Sequence, residues 1–214
     1  MRRRFDQQLE ELNQEMQTMG TMVEGAIQKA IEALLKQDEE LAKSVMEADA
    51  LVDQKQKEIE SICFTLLMQQ QPVASDLRII SAALKMVTDM ERIGDHAADI
   101  SEMTLHLAHE PYIKNLDHIR QMATETTWML IQSIEAYVEK NTRKAAGVIS
   151  HDDVVDELFA DTKKELIELI HKDKNNGEQA TDLLMVAKYF ERIGDHAVNL
   201  SEWVLFSIDK RPRG

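Results

Sequence analysis

The same seven residues, ERIGDHA, occur at Glu91–Ala97 and again at Glu191–Ala197. The similarity extends beyond this motif, because the stretch that begins at Ile31 aligns with one that begins at Ile134, 103 residues later. The motif itself recurs after 100 residues, so a three-residue length difference must lie in the connection before the third helix of each copy. A repeat of this extent predicts two copies of one structural unit.

Few residues in the chain disfavour helices, since 214 residues include only 7 glycines, 3 prolines and 5% aromatic side chains. This composition favours helices over sheets. Asp38 and Asn141 are placed like helix N-caps, and Pro72, Pro111 and Gly177 mark breaks. We therefore predict an all-α fold of two similar, internally duplicated three-helix bundles, residues 1–108 and 109–214. The six predicted helices lie near residues 4–36, 39–70, 75–108, 111–140, 142–173 and 178–208.

The charge and the cysteine content limit the class of protein. A net charge of −14 argues against a broad surface for nucleic acid or an anionic membrane. The single cysteine, Cys63, lies in an apolar run and has no internal disulfide partner. No signal peptide and no apolar run of about 18 residues is visible. We expect a soluble, intracellular protein.

Acidic residues border the apolar face of the third helix. On a helical wheel, Glu91 falls within the margin of that face, Asp95 lies further out and Asp99 beyond it, while Arg92 and His96 point away. The second copy repeats this arrangement. A buried carboxylate requires a proton, a cation or hydrogen-bond donors, so these positions predict a binding role.

A second pair of acids, four residues apart, lies on the second helix of each copy, so carboxylates of two packed helices can converge. Oxygen ligands of this kind favour hard cations such as Mg²⁺, Ca²⁺, Mn²⁺ or ferric iron. A salt-bridged or water-filled groove is the alternative. The candidate metal ligands are Asp49, Asp53, Glu91, Asp95, Asp99, Asp152, Asp156, Glu191 and Asp195.

The remaining residues of the motif have supporting roles. A glycine inside a helix costs about 1 kcal/mol relative to alanine, so its recurrence suggests that another backbone or a bound group comes close. The histidines are expected at the surface or behind the ligands, and the arginines can pair with acids along the helix. These supporting residues are Arg92, Gly94, His96, Arg192, Gly194 and His196.

The opening RRRFDQQLEELNQEMQTMG, the segment QPVASDLR and the two ERIGDHA motifs together resemble the PhoU family along the whole chain. The resemblance implies a non-enzymatic, cytoplasmic negative regulator of the phosphate-starvation response. It also implies a homodimer that contacts the ATPase subunit of the phosphate ABC transporter and a sensor histidine kinase, and meets the membrane only through these partners.

The family's acidic signature, an acid followed four residues later by Asp, maps onto Glu91 with Asp95 and onto Glu191 with Asp195. The resemblance thus implies multinuclear iron or zinc, with other divalent cations as alternatives. Asn199 stands where Asp99 does in the first copy, so the second site is expected to bind more weakly or hold fewer ions.

Two other functions use the same carboxylates. A ferritin-like di-iron oxidoreductase requires Glu-x-x-His on two of four core helices, and only the stretch from Glu168 to His171 fits. The other alternative is a metal-storage protein, which would share the carboxylates but would not require a partner protein. A P-loop enzyme is excluded more firmly, because the chain has no glycine-rich phosphate loop.

Overall fold

The computed structural model describes residues 2–69 and 73–208, with side chains over 5–68 and 73–208, and shows six α-helices and no strand in these ranges. The predicted all-α class is confirmed. A 3₁₀ turn, Lys174–Asn176, precedes the last helix. The helices are α1 (Arg2–Lys36), α2 (Glu39–Gln69), α3 (Ala74–Leu107), α4 (Asp117–Glu139), α5 (Thr142–Lys172) and α6 (Gly177–Ile208).

The turn between α1 and α2 and the turn between α4 and α5 are built in the same way. Asp38 accepts a hydrogen bond from the Leu41 amide at 3.0 Å, and Asn141 accepts from two amides at the start of α5. The preceding residues, Gln37 and Lys140, have φ angles of 54° and 53° in the left-handed region. Both predicted caps are therefore confirmed, and the 103-residue offset of the repeat holds in the backbone.

The fourth helix begins at Asp117, so the predicted start at residue 111 is wrong. The intervening segment is held by contacts with distant helices. The Tyr112 hydroxyl donates to the Leu34 carbonyl at 2.5 Å, and the Ile113 amide donates to the Gln179 side chain at 2.6 Å. Because Leu34 lies on α1 and Gln179 lies on α6, these contacts tie the segment to both halves of the chain. The predicted break at Pro72 lies outside the described residues.

The helices α1–α3, here called the first half, pack against α4–α6, the second half. The closest association between the halves is α3 against α6, and α1 also contacts α4. Buried aliphatic and methionine side chains from all six helices form one continuous core. The domain boundary between residues 108 and 109 stays a prediction. None of the described helices has both the length and the apolar character needed to span a membrane.

Candidate metal centre

Three aspartates converge between α2 and α3. Asp49, Asp53 and Asp95 each place a carboxylate oxygen within 4.8 Å of the other two. The four-residue spacing puts the first two on one face of α2, and Asp95 reaches them from α3. Gly94 permits this approach, because a Cβ atom there would lie 3.1 Å from Val52 Cγ1 and 3.4 Å from Asp49 Oδ1. The helix that comes close to the glycine is therefore α2.

Asp49 is the member of this cluster whose charge lacks a compensating donor. Asp49 Oδ1 is buried and has no hydrogen-bond donor among the described residues. Burial, and then the charges of Asp95, Asp53 and Asp99, raise the pKa of Asp49 from 3.8 to about 6. Burial also raises the pKa of Glu91, whose side chain is only 17% exposed, and the Asp95 charge raises it further. A cation between these carboxylates would replace the solvation that they have lost.

The neighbouring residues take up part of this charge. Arg92 is exposed and donates to Asp95 at 2.9 Å, as the helix spacing predicted. Its Nε lies 3.5 Å from Glu91, and this charge opposes the rise in the pKa of Glu91. Asp99 contacts His96 at 3.1 Å and lies outside the group of three converging aspartates. The first half therefore offers three converging oxygens, with Glu91 and Asp99 beside them.

The second half repeats the scaffold of the site but not its charge. A Cβ atom at Gly194 would lie 3.3 Å from Asp152 Oδ1, matching the approach at Gly94. Burial and the Asp156 charge raise the pKa of Asp152 to about 6. However, no second group of three converging acids is found among the described residues, and Asp156 and Asp195 are exposed.

Lys188 adds a positive charge to the second half that the first half does not have at the matching position. Its ammonium group forms an ion pair with Glu191, whereas the first half has Thr88 at the matching position. Lys188 was not among the residues predicted from the sequence, although its three-residue spacing from Glu191 was a visible signal. Arg192 is exposed and forms no ion pair with Asp195 in the described structure. The second half thus contains an internal cation beside its acids.

The two motif histidines meet between the halves. The rings of His96 and His196 lie 5.6 Å apart where α3 packs on α6, and His96 also stacks on Tyr189. Burial lowers the pKa of His96. Of the two predicted positions for His96, the surface does not apply, because α6 covers the side of α3 that faces away from its own half. The contact of His96 with Asp99 at 3.1 Å agrees with the other, a place behind the ligands.

Asp89, which lies on α3 three residues before Arg92, links the halves. Its carboxylate oxygen lies 2.8 Å from His196 Nδ1 and accepts a hydrogen bond from Asn199 at 3.2 Å. Asn199 is therefore part of the interface between α3 and α6. The change from Asp99 to Asn199 removes a negative charge at a position that contacts the opposite half.

A further polar group lies on the outer side of Asp152. His151 Nε2 is 2.7 Å from a Glu125 oxygen, and the Trp128 ring lies 4.4 Å from the His151 ring. These residues lie outside the repeated motif and were not predicted from the sequence. Glu125 and Trp128 lie on α4 and His151 lies on α5, so the group belongs to the second half.

Comparison with known proteins agrees with this duplicated architecture. The family model described as the PhoU domain matches twice, over residues 16–104 and 119–204. The chain is 41% identical over 208 residues to a Clostridium acetobutylicum protein named phosphate-specific transport system accessory protein PhoU homolog, covering 97% of this chain and 95% of that relative. An Aquifex aeolicus protein of the same name is 38% identical over 185 residues, covering 86% and 84%.

Solved structures give the same result. The crystal structure of PhoU from Pseudomonas aeruginosa has a TM-score of 0.91 at 29% identity, covering 95% of this chain and 98% of that one. The phosphate transport system regulatory protein PhoU from Streptococcus pneumoniae has a TM-score of 0.87 at 29% identity, covering 95% and 96%. Both the sequence and the fold match over nearly the whole length, and this chain belongs to the PhoU family.

Proposed function

We propose that this protein is a negative regulator of the phosphate-starvation response that links the phosphate ABC transporter to a sensor histidine kinase. Family membership supports the coarser part of this statement: the chain is a non-enzymatic accessory protein with a regulatory role in phosphate transport. The observation that carries the proposal is the duplicated PhoU fold, which the family model matches in both halves. The partners proposed are the transporter's ATPase subunit and the kinase, with the protein acting as a cytoplasmic homodimer.

A metal ion bound in the first half is the second part of the proposal. Asp49, Asp53 and Asp95 would hold it, with Glu91 and Asp99 beside them. The unpartnered, buried oxygen of Asp49 supports this role, because the carboxylate lacks a compensating donor. An all-oxygen ligand set favours iron or manganese over zinc, which is usually bound by nitrogen and sulfur. When bound, the ion supplies positive charge that holds α2 and α3 together.

The second half is proposed to bind metal more weakly. Its ligands would be Asp152, Asp156 and Asp195, with Glu191 already paired to Lys188. A fixed ammonium group beside the acids reduces the electrostatic attraction for a second cation. This arrangement supports unequal occupancy of the two halves.

The ferritin-like oxidoreductase is disfavoured by the position of its required motif. Glu168 and His171 are both exposed on α5 and do not face the core, where a di-iron site would require them. The metal-store alternative shares the carboxylates, but family membership assigns a regulatory role that a store does not have.

The proposal is tested by measuring binding of the purified protein to the transporter ATPase subunit and to the cytoplasmic part of the kinase. Deletion of the gene should derepress a phosphate-starvation reporter in high phosphate. Binding to neither partner, together with unchanged repression after deletion, would contradict the regulatory role. Elemental analysis of protein purified without added metal tests the second part, which is wrong if Fe, Mn and Zn are all absent and none binds on titration.

A further inference from the structure

Four exposed apolar side chains lie at one end of the first half and are here called the apolar tip. Phe64 and Met68 lie four residues apart near the end of α2, and Val73 and Leu77 lie four residues apart at the start of α3. Their exposed fractions run from 42% at Leu77 to 76% at Met68, and they are four of the eight exposed large apolar side chains among the described residues. Such a concentration marks an interaction surface, because exposed apolar side chains are otherwise scattered singly.

The sequence around the apolar tip carries no charge. The stretch from Ser61 to Ser75 contains no acidic or basic residue, whereas 30% of the whole chain is charged. The fold does not require this, because the matching stretch of the second half, residues 164–175, contains six charged residues. With the repeat offsets of 103 and 100 residues, the counterparts of the apolar tip are Ile167, His171, Asp173 and Gly177. The apolar tip is therefore specific to the first half.

The start of α1 and the end of α6 lie at the same end of the molecule as the apolar tip. A cavity of about 540 Å³ is lined by Phe5 of α1, Ile79 of α3 and Ile208 of α6, so these three helix ends meet there. Lys55 of α2 donates to Glu15 of α1 at 2.8 Å. Together with the short turn between the two helices, this pair shows that they run antiparallel, which brings the end of α2 to the start of α1.

The sequence that adjoins this end is basic. Residues 1–6 and 209–214 together contain six basic and two acidic residues, although the whole chain has 25 basic and 39 acidic ones. Covalent geometry limits each of the six to within roughly 20 Å of Phe5 or Ile208. Positive charge is thus concentrated beside the apolar tip. The six basic residues are Arg2, Arg3, Arg4, Lys210, Arg211 and Arg213.

We propose that the apolar tip and the basic residues beside it bind directly to the surface of an anionic lipid membrane. The apolar side chains would enter the boundary between headgroups and acyl chains, and the basic side chains would meet the anionic headgroups. A protein partner could also cover apolar side chains, but the local excess of positive charge on an acidic chain favours an anionic lipid surface. The net charge of −14 argues against a broad membrane-binding surface, whereas this contact is confined to one end.

The proposal is tested by sedimenting the purified full-length chain with vesicles of phosphatidylcholine alone or mixed with phosphatidylglycerol. Such vesicles contain no transporter, so the result is independent of the proposed function. The wild type should sediment with the mixed vesicles, and added salt should weaken this binding. Phe64→Asp combined with Met68→Asp should raise the lipid concentration needed for half-maximal binding by roughly tenfold or more.

Ile167→Asp combined with His171→Asp is the matched control, because both residues are exposed at the corresponding positions of α5. This variant adds the same two acids and should bind as the wild type does. Replacing the six basic residues with alanine should reduce binding to the mixed vesicles to the level seen with phosphatidylcholine alone. Circular dichroism checks that each variant folds, and Phe64→Gln with Met68→Gln serves if the aspartate pair does not.

Three results would overturn the proposal. The wild type could fail to sediment with the mixed vesicles, the two double variants could lose binding equally, or the alanine variant could bind the mixed vesicles as well as the wild type does. If the wild type does not bind vesicles but Phe64→Asp with Met68→Asp weakens binding to the purified transporter ATPase subunit, the apolar tip is a protein-docking surface and the lipid assignment is wrong.

Discussion

Replacing Asp49 with asparagine should stabilise the metal-free protein at neutral pH while abolishing stabilisation by metal. The carboxylate is partly buried, and its Oδ1 has no donor among the described residues. Its pKa is raised from 3.8 to about 6, so the folded state holds the proton more tightly than the unfolded state. The resulting stability is present below about pH 4 and is lost as the pH rises through about 6.

The size of the effect follows from this pKa. The rise in the pKa of Asp49 from 3.8 to about 6 corresponds to at most about 3 kcal/mol of unfolding free energy. Because Asp49 retains some solvent contact, screening reduces this to about 1 kcal/mol. Asp49→Asn, which removes the charge and keeps the shape, should therefore raise the Tm of the metal-free protein by about 3 °C at pH 7.5. At pH 4 the gain should be much smaller, because the wild-type carboxyl is then largely protonated.

Thermal unfolding of chelator-treated protein at pH 7.5 and pH 4 measures this effect, and the addition of Mn²⁺ at pH 7.5 completes the test. Metal should raise the Tm of the wild type but not that of Asp49→Asn. Asp161→Asn, at an exposed position of α5, controls for the loss of one negative charge from an acidic chain. A lower Tm for Asp49→Asn at pH 7.5 without metal would refute the reasoning, since it would mean that the carboxylate already has a compensating partner.

Two further predictions concern the contrast between the halves. Gly94→Ala should lower the free energy of unfolding by about 1 kcal/mol in urea denaturation, because crowding against Val52 outweighs the gain in helix propensity. The exposed Gly147→Ala should instead raise it by up to about 1 kcal/mol, and similar values for both variants would contradict the close-approach role. Lys188→Thr should increase the number of bound Mn²⁺ ions per chain in equilibrium dialysis, because it frees Glu191; an unchanged number would show that the ammonium group does not limit the second site.

Features that depend on local sequence were predictable. The caps Asp38 and Asn141 act through amides within three residues, so their pattern is visible without any tertiary information. The spacing of acids and apolar residues likewise predicted that Glu91 is partly buried and that Asp95 lies near Asp49 and Asp53. The repeated glycine correctly predicted a close approach between helices. Gly94 faces Asp49 on α2, and Gly194 faces Asp152 on α5.

Features that depend on distant contacts were not predictable in this way. The helical wheel of α3 describes one helix against its own half, so it cannot show that α6 covers His96. The late start of α4 depends on Tyr112 and Ile113, whose partners lie 78 and 66 residues away in sequence. Lys188 was overlooked because a lysine near an acid on a helix is usually a solvated surface pair.

The contact between α3 and α6 has the form of a two-fold symmetric dimer interface contained within one chain. His96 meets its own counterpart, His196, as residues on the axis of such a dimer do. In a dimer of identical chains, every substitution would appear on both sides of the axis. Covalent linkage removes that restriction: Asp89 faces His196 and Asn199, while its counterpart Tyr189 stacks on His96. The two surfaces of this contact can therefore differ, and each half can change its ion site without altering that of the other.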